Sequence, residues 1–233
     1  MMGVNAPGEI ADMLTMCQPE QKPIVFKFIP MPNKKVIVTG FGPFRGFEDE
    51  NPSSVVIDEL KAKGIENIDL ELHKITVAYE DVSKRVPDLW KEHNPDLVIH
   101  LGAHNVAKTI KFEQQAFSDG YCSNDVNGCT PEGNRTTCAS DEQCLKSCIN
   151  CDELVRDVTQ RCGLDGEKQY GGLKVEKSED PGRYLCGYSY FLSLHEDCSK
   201  SLFIHVPPFE GECTKEAIAE VIRETVKSIL GYC

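Results

Sequence analysis

Residues 180–211 read DPGRYLCGYSYFLSLHEDCSKSLFIHVPPFEG, and the order of signals within them decides the fold. A Pro-Gly turn (Pro181-Gly182) precedes an apolar stretch with helical spacing at Tyr188, Phe191, Leu192 and His195. Leu202-Phe203-Ile204 then forms a short, wholly apolar run of the kind found in a buried strand. It ends at His205, and Pro207-Pro208 stops it, because proline has no N–H to donate to a sheet. A helix feeding directly into a buried strand is half of an α/β unit. It places Cys186 near a helix N-terminus, where the dipole and free N–H groups favour a thiolate. It places His205 at a strand end, where an imidazole can reach that thiol and hold its proton. Cysteine and histidine are also ordinary core residues, so spacing alone does not separate a catalytic pair from a packed one.

Working outward, the same alternation recurs. Lys35–Thr39 reads as a strand. Asn51 caps a helix with Pro52 at its first position and Val55, Val56 and Leu60 along one side. Ile68–Val77 alternates as a strand, and Asp81–His93 is a helix with Pro87 as its weak point. Leu97–Leu101 is a buried strand, Thr109–Gln115 alternates again, Glu153–Cys162 is helical, and Leu173–Glu176 is a short strand. A final amphipathic helix starts at Thr214. The predicted class is α/β: a single three-layer domain with a twisted, mostly parallel sheet and helices on both faces. Sites in such sheets lie at the carboxyl ends of strands. Thr39-Gly40, Leu101-Gly102 and His205-Val206 are such ends.

Two stretches break the pattern. Residues 1–33 hold Pro7, Pro19, Pro23, Pro30 and Pro32 and read as an N-terminal extension, with IVFKFI (Ile24–Ile29) as an edge strand or unstructured. Residues 34–233 form the main domain. Within it, 118–151 is polar, aperiodic and carries Cys122, Cys129, Cys138, Cys144, Cys148 and Cys151, which reads as a long loop or flap.

The chain has 233 residues and a formal net charge of −12. That charge disfavours nucleic acid and anionic membranes, because phosphates would be repelled. No run reaches the ~20 apolar residues that span a bilayer. The N-terminus lacks the basic and apolar regions of a signal peptide, so a cytoplasmic location is expected. Twelve cysteines are then read chiefly as free thiols, and the Asn134-Arg135-Thr136 sequon as unused. One C-x2-C step, Cys148 to Cys151, falls short of the paired knuckles of a zinc site. His100 and His104 read as structural or pocket-wall residues. No metal and no cofactor is expected. Six loop thiols make an oxidation trap, in which they pair with one another or capture Cys186 if Cα atoms approach within about 7 Å.

Gly40-Phe41-Gly42-Pro43-Phe44 follows a strand, yet it is no dinucleotide loop. Arg45 stands where a third glycine belongs, Pro43 has no N–H for a phosphate, and no helix opens before Asn51. The loop presents two aromatic rings on a rigid turn, which on their own fit a core as well as a pocket.

Four segments, in order, resemble those of pyroglutamyl peptidase I, a family of cysteine peptidases. They are KKVIVTGFGPFRGFEDENPSSVVIDEL from Lys34, TIKFEQQAFSDGY from Thr109, DPGRYLCGYSYFLSL from Asp180 and FIHVPP from Phe203. The animal-type members look closer. The resemblance spans Lys34 to the C-terminus and implies removal of an N-terminal pyroglutamate from small peptides by an omega-peptidase. It implies Cys186 as nucleophile, His205 as base and Glu113 as the carboxylate that fixes the histidine tautomer, with Asp180 a weaker candidate for that role. It also implies that Phe41, Phe44 and Leu185 cradle the pyroglutamyl ring. A small, flat, uncharged lactam suits an apolar slot with backbone hydrogen bonds and no charged anchor. Many bacterial members carry a glutamine where this chain has Ala103, and their asparagine- and arginine-containing segment beyond Glu113 is replaced here by the cysteine-rich stretch. The alternative is a non-catalytic homologue acting as a binder or scaffold. The sequence does not fix the oligomeric state; a monomer is the default.

Overall fold

The computed structural model describes residues 33–138, 141–166 and 169–232. The N-terminal extension and its IVFKFI segment lie outside the described residues. The chain runs β1 (Lys34–Phe41), α1 (Pro52–Lys63), β2 (Ile68–Ile75), α2 (Tyr79–His93), β3 (Leu97–Ala103), β4 (Thr109–Glu113), β5 (Gln115–Phe117), β6 (Cys144–Lys146), α3 (Cys151–Arg161), β7 (Lys174–Ser178), α4 (Leu185–Asp197), β8 (Ser201–Val206) and α5 (Lys215–Leu230).

The main sheet is ordered β2-β1-β3-β8-β4-β7. β2, β1, β3 and β8 are parallel to one another. β4 pairs parallel with β7 but antiparallel with β8. Two strands of a mostly parallel sheet are thus reversed, and the reversal falls beside the strand that carries His205. Both faces are covered, which is why β1, β3 and β8 are apolar almost throughout rather than alternating. α1, α3 and α5 pack on one face over Val36, Val38, Leu97, Ile99, Leu202 and Ile204. α2 and α4 pack against each other on the opposite face, with Phe41, Tyr79, Tyr188, Phe191 and Phe203 in their core.

The first helix is fixed by its cap. Asn51, only 2% exposed, accepts hydrogen bonds from the N–H and hydroxyl of Ser53 and donates to the Gly42 carbonyl at 2.8 Å. The Ser53 hydroxyl in turn accepts from the Phe41 N–H at 3.0 Å. The two ends of the loop carrying Phe44 are therefore tied together where β1 ends and α1 begins. α2 continues through Pro87 and stops at Asn94 in the left-handed conformation (φ 44°).

The cysteine-rich stretch is more ordered than its sequence predicts. β5 and β6 close its base as an antiparallel pair with Ala116 opposite Leu145. Three-residue strands are too short to show a period. Asp125 folds the tip: one carboxylate oxygen accepts from the N–H groups of Asn127 and Cys129, the other from Tyr79 at the start of α2. No helix among the described residues is long and apolar enough to cross a membrane.

Asn51→Ala removes a cap acceptor and leaves the Gly42 carbonyl without its partner. We expect a loss of about 2 kcal/mol in urea unfolding, with Asn51→Asp losing less because it keeps the acceptor. An unchanged midpoint for the alanine variant would show that the cap does not hold this loop.

Candidate active site

The reversed pairing of β4 and β8 assembles the charged part of the site. Lys111 lies opposite His205, and Glu113 opposite Phe203. Side chains two apart on a strand share a face, so Glu113 and His205 are diagonal neighbours on the face covered by α4. Diagonal pairs are within reach of long side chains, and here His205 Nδ1–H donates to Glu113 Oε1 at 2.8 Å. That donation leaves Nε2 as the nitrogen available to a thiol. Glu113 has no exposed surface, and His205 is 7% exposed.

Cys186 approaches from above. It is the second residue of α4, whose cap Tyr184 is extended and supplies no side-chain hydrogen bond. The first N–H groups of the helix are therefore left for another acceptor. Gly102, which pairs with His205 across β3 and β8, makes room for the sulfur. A Cβ at position 102 would stand 2.8 Å from Cys186 Sγ and 2.6 Å from the Phe203 ring. Gly187 has a matching role at the other side of the thiol. A Cβ there would overlap the Gly182 carbonyl at 2.2 Å, so only glycine lets the Pro181-Gly182 turn lie on the first turn of α4.

Burial alone would pull the pKa of His205 down. The Cys186 sulfur, through charge and a hydrogen bond, and the Glu113 carboxylate outweigh it and hold His205 up at about 9. A histidine with that pKa is an imidazolium at neutral pH, held between an acceptor carboxylate and a sulfur. This arrangement suits a thiolate–imidazolium pair able to attack a carbonyl and protonate a leaving group.

His100 and His104 differ. His100 is fully buried, with Nδ1 2.7 Å from the Thr39 hydroxyl, and desolvation takes its pKa down to about 3. His104 donates Nε2–H to the Thr109 carbonyl at 2.7 Å and is lowered by burial to about 4. Both are neutral structural residues. Asp180, the weaker candidate for orienting His205, instead accepts from the Gly182 N–H and the Arg183 guanidinium at the surface.

Of the three predicted pocket residues, Phe41 at the end of β1 and Leu185 at the start of α4 are buried in the same core. Phe44 is half-buried and packs against Phe47 and Tyr184, ring centroids 5.2 and 6.2 Å away. It lines a cleft of about 560 Å³ together with Arg45, Cys122, Ser123, Asn124 and Tyr184. Cys186 is not among the lining residues but follows Tyr184 by two positions. Tyr184 and the 122–124 segment escaped the sequence reading. The tyrosine immediately before Leu185-Cys186 was visible, whereas nothing local in an aperiodic loop says where it folds back. Tyr79 and Tyr184 hold that loop through hydrogen bonds from their hydroxyls to the Ser123 and Asn124 carbonyls.

Residues 13–210 match the family model described as "Putative pyroglutamyl peptidase PgaPase_1". The match starts ahead of Lys34, inside the stretch that the motifs leave uncovered. Pyroglutamyl-peptidase 1 of Mus musculus is 33% identical over 201 residues, covering 86% of this chain and 91% of the relative. That of Homo sapiens is 33% identical over 200 residues, covering 85% and 91%. Among solved structures, the pyrrolidone carboxyl peptidase from Thermococcus litoralis superposes with a TM-score of 0.71 at 24% identity, over 85% of this chain and 94% of that one. The fold is shared with that enzyme, and by family match and identity alike the chain belongs to the pyroglutamyl peptidase family.

Proposed function

We propose that this chain is a cysteine exopeptidase that hydrolyses the bond after an N-terminal pyroglutamyl residue of small peptides in the cytoplasm. The observation that carries this reading is the buried chain from Glu113 through His205 to Cys186, with its 2.8 Å carboxylate–imidazole bond. The Cys186 thiolate attacks the carbonyl that joins pyroglutamate to the next residue. Free N–H groups in the first turn of α4 face the developing oxyanion. His205 gives its Nε2 proton to the leaving amine, and the C–N bond breaks to leave a thioester. Water, deprotonated by His205, then attacks the thioester, and the thiolate departs. Glu113 keeps Nδ1 protonated throughout and stabilises the imidazolium without taking the proton itself.

Phe44 and Tyr184 give the cleft an apolar wall, which fits a neutral lactam. A free α-ammonium or a glutamate carboxylate placed against those rings would lose hydration without a partner.

Hydrolysis of a pyroglutamyl-coumarylamide tests the activity directly. Cys186→Ala should fall below a hundredth of the wild-type rate while unfolding at the same urea concentration; a higher residual rate would exclude covalent catalysis by this residue. Phe44→Ala should raise KM through about 1–3 kcal/mol of lost contact, and peptides with free N-terminal Glu or Gln should resist cleavage. Comparable cleavage of those peptides would show that the cleft does not select a lactam.

Glu113 is tested by pH. A His205 pKa raised from 6.5 to about 9 contributes stability that is complete below pH 6.5 and is lost as pH rises through about 9. Glu113→Gln removes one of the charges that raise it. We expect a loss of about 10–100-fold in kcat, an alkaline limb shifted to lower pH, and a flatter fall of the urea midpoint between pH 6.5 and 9. An unmoved alkaline limb would leave Glu113 without this role.

A further inference from the structure

Cys148 and Cys198 are 50 residues apart in the chain, and their sulfur atoms lie 3.0 Å apart, nearer than two thiols in ordinary packing. The main chains meet at the same point: the Cys148 N–H donates to the Cys198 carbonyl at 2.9 Å. Bond lengths then limit the Cα separation to about 6.8 Å at most, within the range that a disulfide spans. Cys148 is exposed and Cys198 half-buried, so an oxidant reaches the pair from solvent.

We propose that Cys148 and Cys198 form an oxidative modification site, closed to an intrachain disulfide by hydroperoxides or by small-molecule disulfides. With a small-molecule disulfide, the Cys148 sulfur attacks one sulfur and expels the first thiol, and Cys198 then attacks the Cys148 sulfur of the mixed disulfide and expels the second, so the two electrons pass to the oxidant as two released thiols. With a hydroperoxide, the Cys148 sulfur attacks the outer oxygen and its proton passes to the departing oxygen. The O–O bond breaks, giving an alcohol and a Cys148 sulfenic acid. Cys198 then loses its proton and attacks that sulfur. The S–S bond forms, the S–O bond breaks, and hydroxide leaves as water with the released proton. The two sulfurs supply two electrons and the peroxide accepts them. A dithiol reverses the step.

Geometry favours this pair over the other thiols of the described residues: Cys198 is itself raised, by its hydrogen bond with Cys148 and by burial, but its sulfur already touches the sulfur it would join. Cys151 and Cys162 are buried, and desolvation lifts both to about 12, which suppresses the reactive thiolate. Burial also raises Cys138, Cys144 and Cys213. Cys122 and Cys129 are exposed, but the Cys129 sulfur lies against the Asn127 carbonyl, at 3.8 Å. The sequence pointed to loop thiols that pair with one another or capture Cys186; among the described residues the loop sulfur in contact with a second sulfur is Cys148, and its partner is Cys198, outside the loop. α4, with 13 residues, puts about 18 Å between its two ends, so this modification is remote from Cys186.

Its effect follows from what it joins. Ser147 donates to the Ser201 carbonyl at 2.7 Å, so the strand leading into α3 already leans on the turn between α4 and β8. A disulfide there makes the contact covalent and fixes the turn that holds Cys186 and His205 on adjacent elements. The oxidised form should be the more heat-stable one.

The full-length Cys186→Ala protein, which has no active-site thiol, is treated with tert-butyl hydroperoxide or oxidised glutathione, blocked with N-ethylmaleimide and mapped by mass spectrometry without reduction. A Cys148–Cys198 linked peptide should predominate. Tm should rise by about 5–10 °C and return with dithiothreitol, as expected for closing a loop of this size. Cys198→Ser, or the exposed Cys148→Ser if the first folds poorly, should abolish both the link and the shift. In the Cys186-containing chain, either serine variant should keep its basal rate. Glutathione on Cys122 or Cys129 with Cys148 and Cys198 both still free would overturn the proposal. So would a link without a rise in Tm, or a rise that survives the serine change.

Discussion

Glu113 is a carboxylate with no exposed surface, and the structure around the site is organised to tolerate it. An ionised carboxylate out of water is costly unless it is paired and hydrogen-bonded. One of its oxygens accepts from His205; the other has no partner within the described structure. The His205 imidazolium is therefore the main compensation. Removing His205 leaves Glu113 buried without a partner, and removing Glu113 takes from His205 one of the two groups that hold its charge, so the pair ties β4 to β8 as well as tuning the histidine. The antiparallel pairing of β4 with β8 sets the geometry of this contact. With β4 in the observed register, Glu113 reaches His205 from two positions away and stays on the α4 face.

The second requirement is steric. A helix dipole and an imidazolium act on a thiol only if the sulfur reaches them, and an ordinary helix-on-sheet spacing of about 10 Å keeps backbones apart. Gly102 and Gly187 remove the two Cβ atoms that would hold Cys186 away, one beneath its sulfur and one against the preceding turn. Substitution at either position displaces the thiol from His205 without touching a charged group. These glycines are positioned by the register of β3 with β8 and by the Pro181-Gly182 turn, both of which also determine where Cys186 stands in its helix.

Much of this was legible in the sequence, and the reasons are local. Asn51-Pro52 states a helix start in two residues, the buried strands are continuous apolar runs, and Thr214 marks the last helix, where its hydroxyl accepts from the Ala217 N–H. Cys186 and His205 are near each other in the chain and flank one helix–strand turn, so their approach follows from a single supersecondary step. Glu113 is different. It is 92 residues from His205, and its approach depends on a strand reversal that no local pattern encodes; the family motif around it supplied what periodicity did not. The pocket was the least legible part. Aromatic residues near a loop look alike whether they face a core or a cleft; Phe41 is the last residue of β1 and lies in the core, whereas Phe44 stands on the loop beyond it. The thiol contact between Cys148 and Cys198 was beyond the sequence for the same reason as Glu113, since it joins the end of an aperiodic loop to the far end of a helix.

His100, His104 and His205 lie on or just beyond the neighbouring strands β3 and β8, and of these three His205 alone is charged at neutral pH. His100 stacks near Phe203, and Phe203 contacts His205 at a centroid distance of 4.8 Å. His104 lies 5.6 Å from the His205 ring. Similar burial would make all three neutral. His100 and His104 face a hydroxyl and a carbonyl, which offer no net charge, and fall to about 3 and 4. His205 faces a carboxylate and a sulfur and rises to about 9. The difference has a chemical consequence. A second imidazolium at His104 would repel the first, lower its pKa and drain the proton that a leaving amine needs. Keeping His104 neutral, by aiming its one N–H at the Thr109 carbonyl, leaves the positive charge of the site on the single ring that lies between Glu113 and Cys186.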